Sequence, residues 1–395
     1  MPFVVATGLE CSAPIIQGGL RRDELLLTDH WTRIEQDLDL VVALGITHLR
    51  YGVPFHVVAA QPDRFDWAWT DAAMAALRQR PIEPIVDLLH FGIPDDLAGI
   101  GDPRLPGRYE AYVRSFVERY PWVRWYTPVN EPSITALFSA HKGWWNERAR
   151  SDEAFVAALA NVVSCAIRAT EIVREVRPDA VFLQSDACES FRPTEPRAVA
   201  LAEHIQDRGF LGFDLTYGRS PSPKMIAWLL QNGLSRSRLE WFLGHGSSEG
   251  AIVGLDYYPL NERLVTPTGD EPQDERRGFG AVARLFHERY GLPMMLAETN
   301  TRTEIATDWL RETWNEAVAL VEDDIPMVGY CWYSLTDQVD WDTCLREANG
   351  TINTVGLVDL QRERRPVSFL YEDLARATAL TGIPPYAVDQ DVEAA

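Results

Sequence analysis

Cysteine is sparse and unpatterned. The chain has five in 395 residues, Cys11, Cys165, Cys188, Cys331 and Cys344. An odd number without CxxC spacing excludes a disulfide framework and fits buried free thiols in a reducing cytosol. Histidine is nearly as scarce, eight residues with neither HxH nor HExxH among them, so no metal site is expected. Neither a GxGxxG turn nor a GxxxxGK loop occurs, and no organic cofactor is implied. The opening MPFVVATGLE has no basic n-region, so no signal peptide is expected. No apolar run reads as long enough to span a bilayer. Positive charge is in deficit, 37 Lys and Arg against 58 Asp and Glu for a net −21. Such a surface repels phosphate backbones and anionic headgroups, which argues against nucleic-acid and membrane partners. The expectation is a cytoplasmic protein acting on a small molecule, with homo-oligomerisation left open.

What is present is an alternation of short apolar runs with longer helical patterns. Strands are expected at 3–8, 46–51, 84–90, 123–129, 181–186, 252–258, 293–298 and 327–333, with helices between them, for example 31–44, 67–80, 108–119, 152–176, 276–290 and 303–323. Each strand is β-rich and largely apolar, as when helices bury both faces of a parallel sheet. Eight such units favour a closed (β/α)₈ TIM barrel, an α/β fold, over a doubly wound sheet. The spacing predicts one domain over 1–385 and a frayed, disordered tail over 386–395. Extra helices are expected at 197–208 and 223–244, and a hairpin over 351–366 leading into a last helix at 367–380.

Active sites of such barrels stand at the C-terminal ends of the strands. Here those ends collect Arg50, His90, Asn130, Glu131, Asp256, Tyr257, Tyr258, Glu298, Trp332, Tyr333, Asp337 and Asp340, residues that a core would not choose. Glycoside hydrolysis needs two carboxyls flanking the anomeric carbon, about 5–5.5 Å apart when configuration is retained. Glu131 and Glu298, after strands 4 and 7, face each other across such a barrel. A buried structural ion pair is the alternative reading of these two glutamates.

The motifs around them resemble the family 1 β-glycosidases and the wider clan that shares their barrel. YTPVNEPSI (126–134) is similar to the family's strand-4 NEP signature, LAETN (296–300) to its TENG signature, and LLHFGIP (88–94) to its HFDLP segment. HLRYGVPF (48–55) resembles its RFS segment, GLDYYP (254–259) its NYY segment, and GYCWYSLTDQVDW (329–341) its WSLLDNFEW segment. The resemblance implies a glycosidase with Glu131 as acid/base and Glu298 as nucleophile. It places Arg50 and Tyr258 on the nucleophile, Asn130 on the sugar 2-hydroxyl, and His90 and Trp341 on the 3-hydroxyl. It also implies an aromatic platform from Trp332 or Tyr333, and further hydroxyl ligands in Glu10 and Asp340.

Departures from the family pattern cluster at one end of the expected sugar site. Asp340 stands for the Glu that grips the 4- and 6-hydroxyls, Tyr333 for the stacking Trp, and Glu10 or Ser12 for the strand-1 Gln. The expected glycone is therefore xylo-, fuco- or galacto-configured rather than gluco-. Trp144 and Trp145, just past Glu131, are candidates for stacking on an aglycone, and Glu147 is a rival carboxylate. A transglycosidase using the same pair, or a non-catalytic sugar-binding barrel, remain the alternatives to a hydrolase.

Overall fold

A computed structural model of the chain describes residues 2–387. Eight parallel strands close into a barrel: β1 Val4–Gly8, β2 His48–Gly52, β3 Glu83–Asp87, β4 Trp125–Thr127, β5 Val181–Ala187, β6 Ala251–Asp256, β7 Met294–Glu298 and β8 Met327–Trp332. Each expected strand appears within a few residues of its place. Their inward side chains, among them Val4, Ala6, Ile85, Leu183, Met295, Ala297, Cys331 and Tyr333, form one cluster inside the barrel. A larger cluster joins the outer strand faces to the helices. The alternate spacing on one strand (4 and 6, 295 and 297, 331 and 333) is the two-residue period of a pleated strand.

The helix Asp152–Val176 is long and apolar enough to cross a membrane by length and composition, contrary to the sequence expectation that no such run exists. Most of its apolar stretch is buried inside the protein, against the helix Leu105–Arg119 among others, as in a core helix of a barrel. The expected helix over 223–244 is two helices, Pro223–Gln231 and Arg236–His245. Gly233 takes a positive φ of 96°, which glycine adopts without strain. Ser235 then caps the second helix by accepting from the Arg238 N–H at 3.1 Å. The expected hairpin over 351–366 is also divided. Ile352–Asn353 pairs antiparallel with Gln338–Val339, and only Val358 and Arg364 bridge each other.

Of the expected tail, Ala387 is buried and Tyr386 exposed, and both are hydrogen-bonded: the Ala387 N–H donates to Asn315 Oδ1 at 2.7 Å and the Tyr386 hydroxyl to Glu322 at 2.6 Å. Residues 388–395 lie outside the described residues.

Candidate active site

The strand ends place a dense polar network at one mouth of the barrel. Arg50, on β2, is buried at its centre. Its Nη1 donates to Glu298 Oε1 at 2.5 Å and to the Ala297 carbonyl at 3.1 Å. Its Nη2 donates to Asn130 Oδ1 at 2.6 Å and to Asp87 Oδ2 at 3.1 Å. The second oxygen of Glu298 accepts from the Tyr258 hydroxyl at 2.8 Å. Both oxygens of this carboxylate are thus fixed, one by a charge-assisted bond.

Asn130 is oriented from both sides. Its Oδ1 accepts from Arg50 and from Ser185 Oγ at 2.7 Å, so its Nδ2 donates to His90 Nε2 at 3.1 Å. That leaves the His90 Nδ1–H to donate to Asp87 Oδ2 at 3.0 Å. Asp87, Ser185 and Arg50, all buried, therefore fix the orientation of Asn130 and His90.

Glu131 differs in every respect from Glu298. It sits four residues past β4, immediately before Pro132, with a left-handed φ of 41° and ψ of 67°. A non-glycine residue there costs of order 1–3 kcal/mol, a strain often met at functional sites. Among the described residues none donates a hydrogen bond to its carboxyl. Burial pushes its pKa well above the usual carboxylate range, and the charges of Glu298 and Asp186 push it further. Asp186, at the end of β5, is itself raised to about 7 by burial, although the Ser133 N–H donates to it at 2.9 Å. Asp256 is fully buried with no hydrogen-bond partner on either oxygen, and burial with the charges of Glu298 and Glu131 raises it as well.

A cavity of about 360 Å³ opens over these groups, bordered by Glu10, His90, Glu131, Tyr258, Glu298 and Trp341. This is at the small end of the range of about 300–1,000 Å³ for small-molecule sites. The Trp341 indole N–H is buried and has no protein partner, a donor ready for a ligand. Apolar side chains, Phe91, Ile134, Phe138 and Leu260, form much of the rest of the wall.

Four of the residues expected at the sugar do not border this cavity, the first being Asn130, fully buried in the network above. Trp332 points outward into the helix layer, its indole N–H donating to the Val355 carbonyl at 2.9 Å, because the residue beside an inward Cys331 must face the other way. Tyr333 points inward but lies beneath the cavity. Its ring is parallel to His90 at 6.1 Å and under the Arg50 guanidinium at 5.1 Å, and its hydroxyl donates to the Leu9 carbonyl at 3.0 Å. Asp340 is fully buried and withdrawn. It pairs with Arg22 and accepts from the Thr351 N–H at 2.8 Å.

Glu10, also buried, borders the cavity instead. Its two oxygens accept from the Ser12 N–H at 3.0 Å and from Gln338 Nε2 at 3.1 Å. Burial raises its pKa. Trp145 is fully buried, donating to the Cys344 carbonyl at 2.9 Å, and Glu147 accepts from the N–H groups of Ile100 and Gly101. Neither borders the cavity.

The sequence alone does not single out Asp87, Ser185, Asp186, Gln338 and Arg22. Their signal was weak: an acid or hydroxyl inside an apolar strand, such as IVD (85–87) and QSD (184–186). Cys11, Asp87 and His90 bring a thiol, a carboxylate oxygen and a ring nitrogen within 4.8 Å of one another, all buried. The Arg50 guanidinium, 3.1 Å from Asp87, sets a fixed positive charge against any cation in that group.

The profile of Glycosyl hydrolase family 1 matches residues 22–218. The aryl-phospho-β-D-glucosidase BglC of Bacillus subtilis is 21% identical, the match covering 89% of this chain and 87% of that protein. A β-glucosidase from Agrobacterium is 22% identical over 86% of this chain and 82% of its own length. The family 1 β-glucosidase from Thermotoga maritima shares the fold at a TM-score of 0.82 and 16% identity, covering 95% of this chain and 97% of that one. The barrel, the order of its motifs and this match identify the chain as a glycoside hydrolase of the family 1 type.

Proposed function

We propose that this enzyme is a retaining β-glycosidase acting on a small soluble β-glycoside, with Glu298 as nucleophile and Glu131 as general acid/base. The observation that carries the reading is the opposite treatment of two neighbouring carboxyls. Glu298 has an arginine on one oxygen and a phenol on the other, which favours an oriented carboxylate. Glu131 has neither, and burial beside Glu298 favours its protonated form. That is the division double displacement requires.

In the first step Glu131 gives its proton to the leaving oxygen while Glu298 attacks the anomeric carbon. Once esterified, Glu298 carries no charge, so one of the influences raising Glu131 disappears and its pKa falls. Glu131 can then take a proton from the incoming water, and the same residue serves both half-reactions. Asn130, locked by Arg50 and Ser185, reads the 2-hydroxyl with its second Nδ2 hydrogen, and Trp341 reads the 3-hydroxyl beside His90, whose ring nitrogens are taken by Asn130 and Asp87. Glu10 with Gln338 reads the far end of the sugar, where Asp340 does not reach. A carboxylate there only accepts, whereas the family's amide both donates and accepts. A glycone other than glucose, xylo-, fuco- or galacto-configured, is the reading that follows. Five cysteines without a disulfide among them suit a cytoplasmic enzyme.

The test is covalent trapping. A 2-deoxy-2-fluoro glycoside of the accepted glycone is expected to label Glu298, and azide should restore turnover to Glu298→Gly. Label on another carboxylate, with Glu298→Gln still active, would remove the assignment.

A further inference from the structure

The catalytic cavity has a neighbour. Phe138, on its wall, packs against Trp144 with ring centroids 4.5 Å apart. Beyond Trp144 lies a second cavity of about 430 Å³, bordered by Trp144, Arg148, Arg150, Arg346 and Glu347. The two segments that build it also border the catalytic site: the one that follows Glu131, and the one after Trp341. In the latter, Cys344 faces the first cavity and Arg346 the second.

Three guanidinium groups meet there in a protein of net charge −21. All three are exposed, yet they differ from arginines such as Arg289 and Arg365, which are paired with Asp214 and Asp337. Among the described residues no carboxylate lies within ion-pair distance of Arg148, Arg150 or Arg346. Glu347 borders the cavity but accepts from Asn349 Nδ2 at 3.1 Å. Two of the arginines are positioned by their neighbours. Arg148 donates from Nη1 to the carbonyls of Ile16 at 3.2 Å and Asn146 at 3.1 Å. Arg346 donates from Nε to the Thr343 carbonyl at 2.7 Å and lies over the Trp144 ring at 4.6 Å. Arg150 rests against Gly143, where a Cβ would stand 2.6 Å from its Nε. The remaining N–H groups are free to receive a planar or tetrahedral oxyanion, which guanidinium forks match in geometry.

We propose that this arginine cavity receives the anionic end of the leaving group, so that the enzyme's glycosides carry a carboxylate or sulfate on the aglycone. The inference rests on the glycosidase reading above, and it adds the substrate class. An aromatic aglycone leaving Glu131 runs along Phe138 and Trp144, and its far end then meets the three arginines.

The experiment uses two substrates with one two-ring aryl leaving group, bearing a distal carboxylate in one and its methyl ester in the other, so that the leaving phenol is matched. The acid is expected to have a KM at least tenfold below the ester, an advantage that shrinks with added salt. Arg346→Gln and Arg150→Gln should each reduce it, and the double variant should abolish it, with ester turnover unchanged. Equal KM values in the unmodified enzyme, or a preference that survives the double variant, would overturn the proposal. Turnover of the ester tests the glycosidase reading separately. Should neither compound turn over, calorimetric binding of the same pair to Glu298→Gln reads the preference directly, and equal affinities there overturn it too.

Discussion

Arg50 joins groups that do different work, and replacing it should separate stability from chemistry. Its guanidinium makes hydrogen bonds to Glu298, Asn130 and Asp87 while fully buried, and Asp256 lies 4.0 Å from Nη1. Arg50→Gln removes this guanidinium and strands buried carboxylates, at a cost of about 3–5 kcal/mol. Unfolding entropy near 60 °C is about 2.1 cal/mol/K per residue, or about 0.8 kcal/mol/K for a chain this long. The expected fall in Tm is therefore about 4–6 °C. Arg50→Lys keeps the charge but loses the fork, so Glu298 and Asn130 cannot both be held. Its Tm should stay within about 2 °C of the parent. Its kcat on an activated aryl glycoside should nonetheless drop by about 100- to 1,000-fold, the loss typical when a preorganised electrostatic contact is removed. Scanning calorimetry and initial rates on the two variants suffice. An Arg50→Lys enzyme within about threefold of the parent rate would show that the fork does not orient the nucleophile, and the reasoning would fall.

Other outcomes are as definite. Glu131→Gln should lose far more rate on unactivated alkyl glycosides than on activated aryl ones, because good leaving groups need little protonation. The parent's pH profile should show a basic limb above the ordinary carboxylate range, from the raised Glu131, and that limb should vanish in the variant. Glu10→Gln should change the ratio of xyloside or fucoside to glucoside rates, measured as kcat/KM. Asp340→Asn should leave that ratio unchanged and lower the Tm instead, since Arg22 would lose its buried partner. The reverse pattern would return glycone reading to Asp340. Trp341→Phe should raise KM with little change in fold stability, because the indole N–H has no protein partner to lose.

The barrel was legible because its signals are local. Each strand is a short apolar run, and the eight repeat with helices between them. The catalytic candidates were legible for a related reason, since motifs such as VNEP and LAETN keep a strand end and a carboxylate together in sequence. The profile match ends at residue 218, so the half that carries Glu298 rested on motif order. What was not legible depends on contacts distant in sequence. Asp340 stands where a sugar ligand is expected, but Arg22, 318 positions away, withdraws it. Trp332 and Tyr333 are adjacent, and only the barrel's closure decides which one faces inward. The break at Gly233 is a backbone effect that helical periodicity in the flanking segments concealed.

The floor of the sugar site also limits how this enzyme can change. A Cβ on Gly8 would stand 2.1 Å from the Tyr333 ring, and one on Gly52 would stand 2.3 Å from Cys11 Sγ. Cys11 in turn approaches the Tyr333 hydroxyl at 3.8 Å. Each small residue is the space that the next side chain occupies, so the four positions form one interlocked set spread over β1, β2 and the end of β8. Exchanging Tyr333 for a larger ring has no room unless Cys11 moves, and Cys11 has none unless position 52 stays glycine. Routes between this floor and that of a relative therefore pass through poorly packed intermediates when taken one residue at a time. Libraries that vary positions 8, 11, 52 and 333 together should recover active sequences that single-site searches miss.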